Sequence, residues 1–180
     1  MDKPAVPHQI RKVFEGRVFS VVVESITTAR GGKMDVEIVR HPGSVVLIPL
    51  TANGEVILVR QYRHAIGRSA WELPAGTLKP NEEPKKAAAR ECHEEIGLLP
   101  TGLAELGSYF PTPGYCDEEM TFYKATGLRE PGPDDEAAHQ DEDEDIQTQA
   151  FSLEQIRSMI RSGDIIDMKT VAGVALLGRV

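Results

Sequence analysis

Cysteine is scarce in this chain, with two residues in 180, at positions 92 and 116. Two thiols do not make a disulfide scaffold. Cys92 is expected on the inner face of a helix and Cys116 in a loop, so no bridge is expected and a reducing, cytoplasmic setting fits. Long apolar runs are missing as well. None is long enough to span a bilayer, and the opening MDKPAVPHQIRK has no apolar signal core, so neither a membrane protein nor a leader is expected. Positive charge is in deficit: 20 Lys and Arg face 28 Asp and Glu, for a net −8. That balance argues against a nonspecific nucleic-acid binder, which depends on attraction to phosphate. Part of the excess sits in residues 134–145, which read as a solvated acidic loop. Repeats and interdomain linkers are also lacking, and 180 residues suffice for one domain with a sizeable core.

What is present reads as mixed α/β. Residues 17–25 and 34–40 are rich in Val and Ile and flank a turn-prone Ala29-Arg30-Gly31-Gly32, which predicts an antiparallel pair. Residues 44–50 and 55–62 flank Ala52-Asn53-Gly54, a strong hairpin signal. Residues 70–72 lead into Leu73-Pro74-Ala75-Gly76, and residues 104–110, 120–127 and 147–151 read as further strands. Ser152 is placed to cap a helix to about residue 161, and Asp167 another to about residue 177.

The most informative segment is GTLKPNEEPKKAAARECHEEIGL, residues 76–98. Pro84 suits a first helical position, and Gly97 suits the left-handed end of the helix. At about 100° per residue, Glu95 lies at about +40° from Glu91 and Glu94 at about −60°, so three carboxylates share roughly 100° of arc. Ala88, Cys92 and Ile96 form the adjoining apolar stripe, free to pack on a sheet. Arg90 stands one turn before Glu94, within reach of an ion pair, while Lys86 and His93 point outward. Crowded carboxylates repel, and the usual reason to assemble them is a hard divalent cation such as Mg²⁺. An ordinary charged surface helix accounts for abundant glutamate but not for these glycines at this spacing. Metal-assisted chemistry on a phosphate is therefore expected.

Gly76, then Glu82 after five residues, then Arg90-Glu91-Cys92-His93-Glu94-Glu95-Ile96-Gly97-Leu98 after seven more, resembles a complete Nudix box. Its one mild departure is Cys92 where an apolar residue is asked for, and a free Cys behaves as a small hydrophobe. The resemblance implies an α/β/α sandwich with a mixed sheet, preceded by an N-terminal antiparallel strand extension. It implies one Nudix hydrolase domain over 1–180, with about 1–40 contributing dimerisation strands and 41–180 the catalytic core. Outside the box, Val59-Arg60-Gln61-Tyr62-Arg63, Glu72-Leu73-Pro74-Ala75-Gly76 and Pro113-Gly114-Tyr115-Cys116-Asp117-Glu118 resemble the ADP-ribose pyrophosphatase branch, in which a proline stands about where Pro113 does. Asp141-Glu142-Asp143-Glu144 and Gly163-Asp164-Ile165-Ile166-Asp167 are similar to that branch too.

By that resemblance Glu91 and Glu95 are the main ligands of Mg²⁺, for which Mn²⁺ substitutes, with Glu94 a further ligand, a partner of one or a catalytic carboxylate. The main-chain carbonyl of Ala75 is a ligand from the preceding loop. Glu82 braces the motif through Arg90, alongside Gly76 and Gly97, and is not catalytic. Arg60, Arg63 and Glu72 line the substrate site, where the planar fork of arginine suits a diphosphate. Glu118 serves as general base or added ligand, with Asp117, Glu119 and an acid of the 134–145 run as alternatives. Phe19 and Tyr115 are candidates for stacking on a nucleobase, although Phe19, in a Val-rich strand, reads better as core. Trp71 reads as structural, and His64 reads equally as surface or as near the ligand. The implied reaction is hydrolysis of the diphosphate of ADP-ribose to AMP and ribose 5-phosphate by a homodimer. GDP-mannose, NADH and other dinucleotides are alternative substrates, and a noncatalytic ligand-sensing domain is the alternative class.

Overall fold

Strand β4 (Ser44–Pro49) is buried at all six positions, and its alternation divides the core in two. Val45 and Leu47 face one cluster, Val46 and Ile48 the other. In this computed structural model, residues 6–135 and 146–178 are described. The acidic run from 136 to 145, with Asp141, Glu142, Asp143 and Glu144, lies outside them.

The remaining elements are β1 (Gln9–Glu15), β2 (Ser20–Thr27), β3 (Lys33–Arg40), β5 (Val56–Arg63), β6 (Arg68–Glu72), β7 (Ala75–Thr77), α1 (Pro84–Ile96), β8 (Leu99–Tyr109), β9 (Met120–Arg129), β10 (Gln147–Phe151), α2 (Leu153–Ser162) and α3 (Met168–Leu177). The chain divides into two units: residues 1–43 with 110–119, and residues 44–109 with 120–180. In the larger unit a four-stranded sheet runs β7-β4-β9-β8, parallel between β4 and β9 and otherwise antiparallel. A three-stranded antiparallel sheet runs β10-β5-β6. Helix α1 lays Ala87, Ala88 and Cys92 on Val45, Leu47, Tyr123 and Ala125. On the opposite face Val46, Ile48 and Phe122 pack with Leu58, Phe151, Ile156 and Val174 from the second sheet and from α2 and α3. The result is the α/β/α sandwich expected, with a mixed sheet inside it. No helix among the described residues is long and apolar enough to cross a membrane.

The smaller unit is the antiparallel sheet β1-β2-β3 with the 110–119 segment beside β3, where Val39 N–H donates to Tyr115 O at 2.7 Å and Asp117 N–H to Val39 O at 3.1 Å. The turn at 28–32 closes as expected, with Gly31 at φ 81°. Three expectations need correction. The second strand starts at Ser20, not 17, because Gly16 N–H bonds Phe19 O in a turn that returns the chain from β1. Phe19 is therefore no core residue: it is 43% exposed and touches Phe14, with ring centroids 5.7 Å apart. The Asn53-Gly54 turn does form, but β4 and β5 separate into different sheets after a single bridge between Leu50 and Val56. One edge of β4 pairs with β9 along Ser44–Pro49 and the other with β7 over residues 44–46, so β5 meets β4 only at the bridge between Leu50 and Val56, past its end.

Candidate active site

Helix α1 begins at Pro84, as the sequence predicts, and ends at Gly97, whose φ of 71° lets its N–H reach His93 O at 3.0 Å. Burial of Ala87, Ala88 and Cys92 rotates the glutamates toward β7, the short strand that carries Ala75 and Gly76. Glu91 is 8% exposed and Glu95 5%. Ala75 N–H donates to Glu95 Oε2 at 3.1 Å. A Cβ at position 76 would overlap the Glu91 carboxylate, so glycine there is a matter of space. Cys92 lies beneath this face, and burial pushes its thiol up to about 12, which leaves it inert. His93 is half-buried rather than open to solvent.

Arg90 organises the acids. Its Nε and Nη2 form a fork on Glu82, at 2.8 and 2.9 Å, and Glu82 also accepts Lys79 N–H at 2.9 Å. Its Nη1 bonds Glu91 Oε1 at 2.5 Å and Glu94 Oε2 at 2.6 Å. The hydrogen bond from Arg90 holds the Glu82 carboxyl below the usual range. Glu91 goes the other way: burial raises its pKa, and the pull of Arg90 does not cancel that.

Because Glu91 and Glu94 both turn to Arg90, no three His, Cys, Asp or Glu side chains among the described residues converge on one point as a ready-made cage. The donor chemistry nevertheless fits a hard divalent cation. Carboxylates at 91, 94 and 95 and the carbonyl of Ala75 are all oxygen donors, and the partly desolvated Glu91 gains from added positive charge.

Three residues before Ala75, Glu72 ends β6 and is 2% exposed, and its partner Arg63 lies close enough to Glu95 to feel that carboxylate's charge. Arg63 forks onto it, with Nε to Oε1 at 2.8 Å and Nη2 to Oε2 at 2.7 Å, and Lys169 adds a second cation on Oε2. Burial alone would raise the Glu72 carboxyl, but Arg63 and Lys169 outweigh it and hold it below its ordinary value. Glu72 is thus engaged by protein cations, and Arg63 is oriented by it. Arg60 is exposed on β5, opposite Trp71 and Gln147. Trp71 is half-buried and meets Phe151 edge-on, a structural contact. His64 stacks edge-on with Tyr62.

Glu118, Tyr115 and Phe19 belong to the smaller unit. There Arg40 pairs with buried Glu24 and, at 2.8 Å, with Asp117, whose other oxygen accepts His41 N–H at 2.8 Å. Asp117 is therefore a bracing group in this unit. Glu118 Oε1 stands 3.8 Å from His41 Nδ1 with its side chain 21% exposed, and Tyr115 is 59% exposed. Sequence reasoning missed Lys169, and it missed Arg40 as a partner of Glu24 and Asp117. Lys169 and Glu72 are 97 positions apart, and no local pattern announces such a pairing.

The pattern of the NUDIX domain matches residues 40–170. An ADP-ribose pyrophosphatase of Bacillus subtilis (strain 168) is 32% identical over 166 residues, 92% of this chain and 88% of that protein. A methanol dehydrogenase activator of Bacillus methanolicus is 36% identical over the same shares of the two chains. A crystal structure of an ADP compounds hydrolase superposes with a TM-score of 0.84, over 98% of this chain and 94% of that one, at 20% identity, which speaks to the fold.

Proposed function

The chain belongs to the NUDIX domain family, and from that premise we propose that it hydrolyses the diphosphate linkage of ADP-ribose or a closely related nucleoside diphosphate sugar, releasing AMP and ribose 5-phosphate. The observation that carries this reading is the acidic face of α1 set against Gly76, with Glu91 and Glu95 buried there beside the Ala75 main chain. The likeness to an ADP-ribose pyrophosphatase over most of both chains supports the substrate.

Glu91 and Glu95, with Glu94 and the Ala75 carbonyl, would hold a Mg²⁺ or Mn²⁺ ion. When bound, such an ion offsets phosphate charge and lowers the pKa of water. The protein's own groups do the rest. Arg60 and Arg63 bind the diphosphate oxygens. Glu82 and Arg90 brace the helix so that the acids keep their direction. Glu118 takes the proton of the attacking water as its oxygen bonds to phosphorus and the bridging P–O bond breaks. The protein acts as a homodimer joined through its N-terminal strands, and free thiols at 92 and 116 suit a cytoplasmic location.

A hydrolysis panel in Mg²⁺ and in Mn²⁺, read by product identity, tests this. ADP-ribose is expected to give a higher kcat/KM than GDP-mannose, NADH or diadenosine polyphosphates. A clear preference for one of these would reassign the substrate and leave the metal chemistry standing. Tight binding of ADP-ribose with no turnover of any member would make the chain a sensor.

A further inference from the structure

Four charges meet where β5, β6 and the start of α3 adjoin. Glu72, 2% exposed, carries both Arg63 and Lys169, and Lys169 Nζ lies 3.2 Å from Asp167 Oδ2. The lysine side chain is only 8% exposed, whereas that of Arg63 is 42% exposed. Together these four groups line a cavity of about 380 Å³ whose wall also includes Ile66 and Met168.

Burying a lysine is costly unless its charge is used. Fastening of α3 does not rest on it alone, because neighbouring groups share that work. Leu73 N–H donates to Thr170 Oγ1 at 2.8 Å, and Asp167 caps α3 by accepting Thr170 N–H at 2.9 Å. Electrostatics does require it. Glu72, Asp167 and Glu95 all act on Arg63, so with Lys169 the local charge is −1 and without it −2, and an approaching anion is repelled more strongly. The fork on Glu72 uses Nε and Nη2 of Arg63, and among the described residues Nη1 has no hydrogen-bond partner, so it is open to a ligand.

We propose that Lys169 is a positioning residue for Arg63: by sharing Glu72, it leaves the outward side of the Arg63 guanidinium free to receive a diphosphate. This rests on reading Arg63 as a diphosphate contact, and it adds that the charge of a residue far away in sequence sets its strength.

Inorganic pyrophosphate in EDTA is the probe, titrated against full-length protein and followed by the Arg63 Nε–H resonance, which is assigned by its loss in Arg63→Lys. In the wild type that resonance should shift with pyrophosphate. Lys169→Met should weaken binding by about 10-fold, because a nearby compensating charge is lost at intermediate dielectric. Lys169→Arg should retain it. Adding Asp167→Asn to Lys169→Met restores the wild-type local charge and keeps a capping oxygen, so affinity should recover to within about threefold of wild type. Wild-type affinity in a folded Lys169→Met protein, a double variant that fails to recover, or an Arg63 resonance indifferent to pyrophosphate would each overturn the proposal. Should Lys169→Met not fold, Asp167→Asn alone decides: tighter pyrophosphate binding supports the proposal, and unchanged binding overturns it. Pyrophosphate binding at Arg63 without hydrolysis of any nucleoside diphosphate sugar sinks the catalytic reading and leaves this one intact.

Discussion

The carboxylate of Glu91 occupies the space where a side chain at position 76 would begin, so strand β7 and helix α1 approach as closely as they do only because residue 76 is glycine. This contact explains why a glycine fifteen positions before the first of the clustered acids belongs to the same motif. Gly76→Ala forces Glu91 or the β7 backbone to move. Overpacking of this kind costs about 1–3 kcal/mol, and the acid face is displaced with it. Thermal melting should show the loss, and turnover should fall by orders of magnitude. Glu91→Gln and Glu95→Gln keep nearly the same volume, so these variants should lose turnover to a similar extent while retaining the fold. Near-normal activity of either at limiting Mg²⁺ would remove it from the metal site.

Glu72 supplies a pH dependence of stability. Its folded carboxyl titrates below the ordinary glutamate value of 4.5 because Arg63 and Lys169 outweigh burial. The contribution is therefore complete above pH 4.5 and is lost as the pH falls through the lower, folded value. Glu72→Gln leaves two partly buried cations without their shared anion and should destabilise the protein by about 3–5 kcal/mol near neutrality. Chemical denaturation from pH 7 to 3 should show the gap between wild type and variant closing on the acid side. A gap that stays constant across that range would mean the carboxylate charge is not what stabilises the pair.

Glu118→Gln tests the general base. A base contributes typically ~10²–10⁴-fold, so kcat should fall by about that factor with little change in KM. If Glu118 binds metal instead, the Mg²⁺ concentration required should rise as well. Unchanged kcat and metal dependence, together with loss of activity in Glu119→Gln or Glu142→Gln, would move the base to one of those residues.

The N-terminal sheet carries Ile10 at 59% exposure and Phe14 at 51%, a surface more apolar than a solitary sheet requires. Light scattering at micromolar protein should give the mass of two chains. Ile10→Glu with Phe14→Glu should shift it to one chain, and deletion of residues 1–40 should abolish substrate binding. A fully active wild-type monomer would refute the dimer.

Features that the sequence determined by itself are those set within a few residues of chain. Pro84 and Gly97 bound α1 because one fixes φ and the other tolerates a left-handed φ. Ser152 and Asp167 cap their helices through their own side chains. The Glu91–Glu94–Glu95 arc and the Ala88–Cys92 stripe follow from 3.6-residue periodicity, and the Arg90–Glu94 pair from one helical turn. Tertiary structure alone decided which strands pair and which charges meet. Asn53-Gly54 turns the chain as its dihedral preferences require, yet β4 finds β7 and β9, because pairing depends on competition among distant strands for two edges. Arg40 meets Asp117 across 77 positions and Lys169 meets Glu72 across 97. Such charges are assigned partners only when packing buries them together and makes an unpaired charge costly.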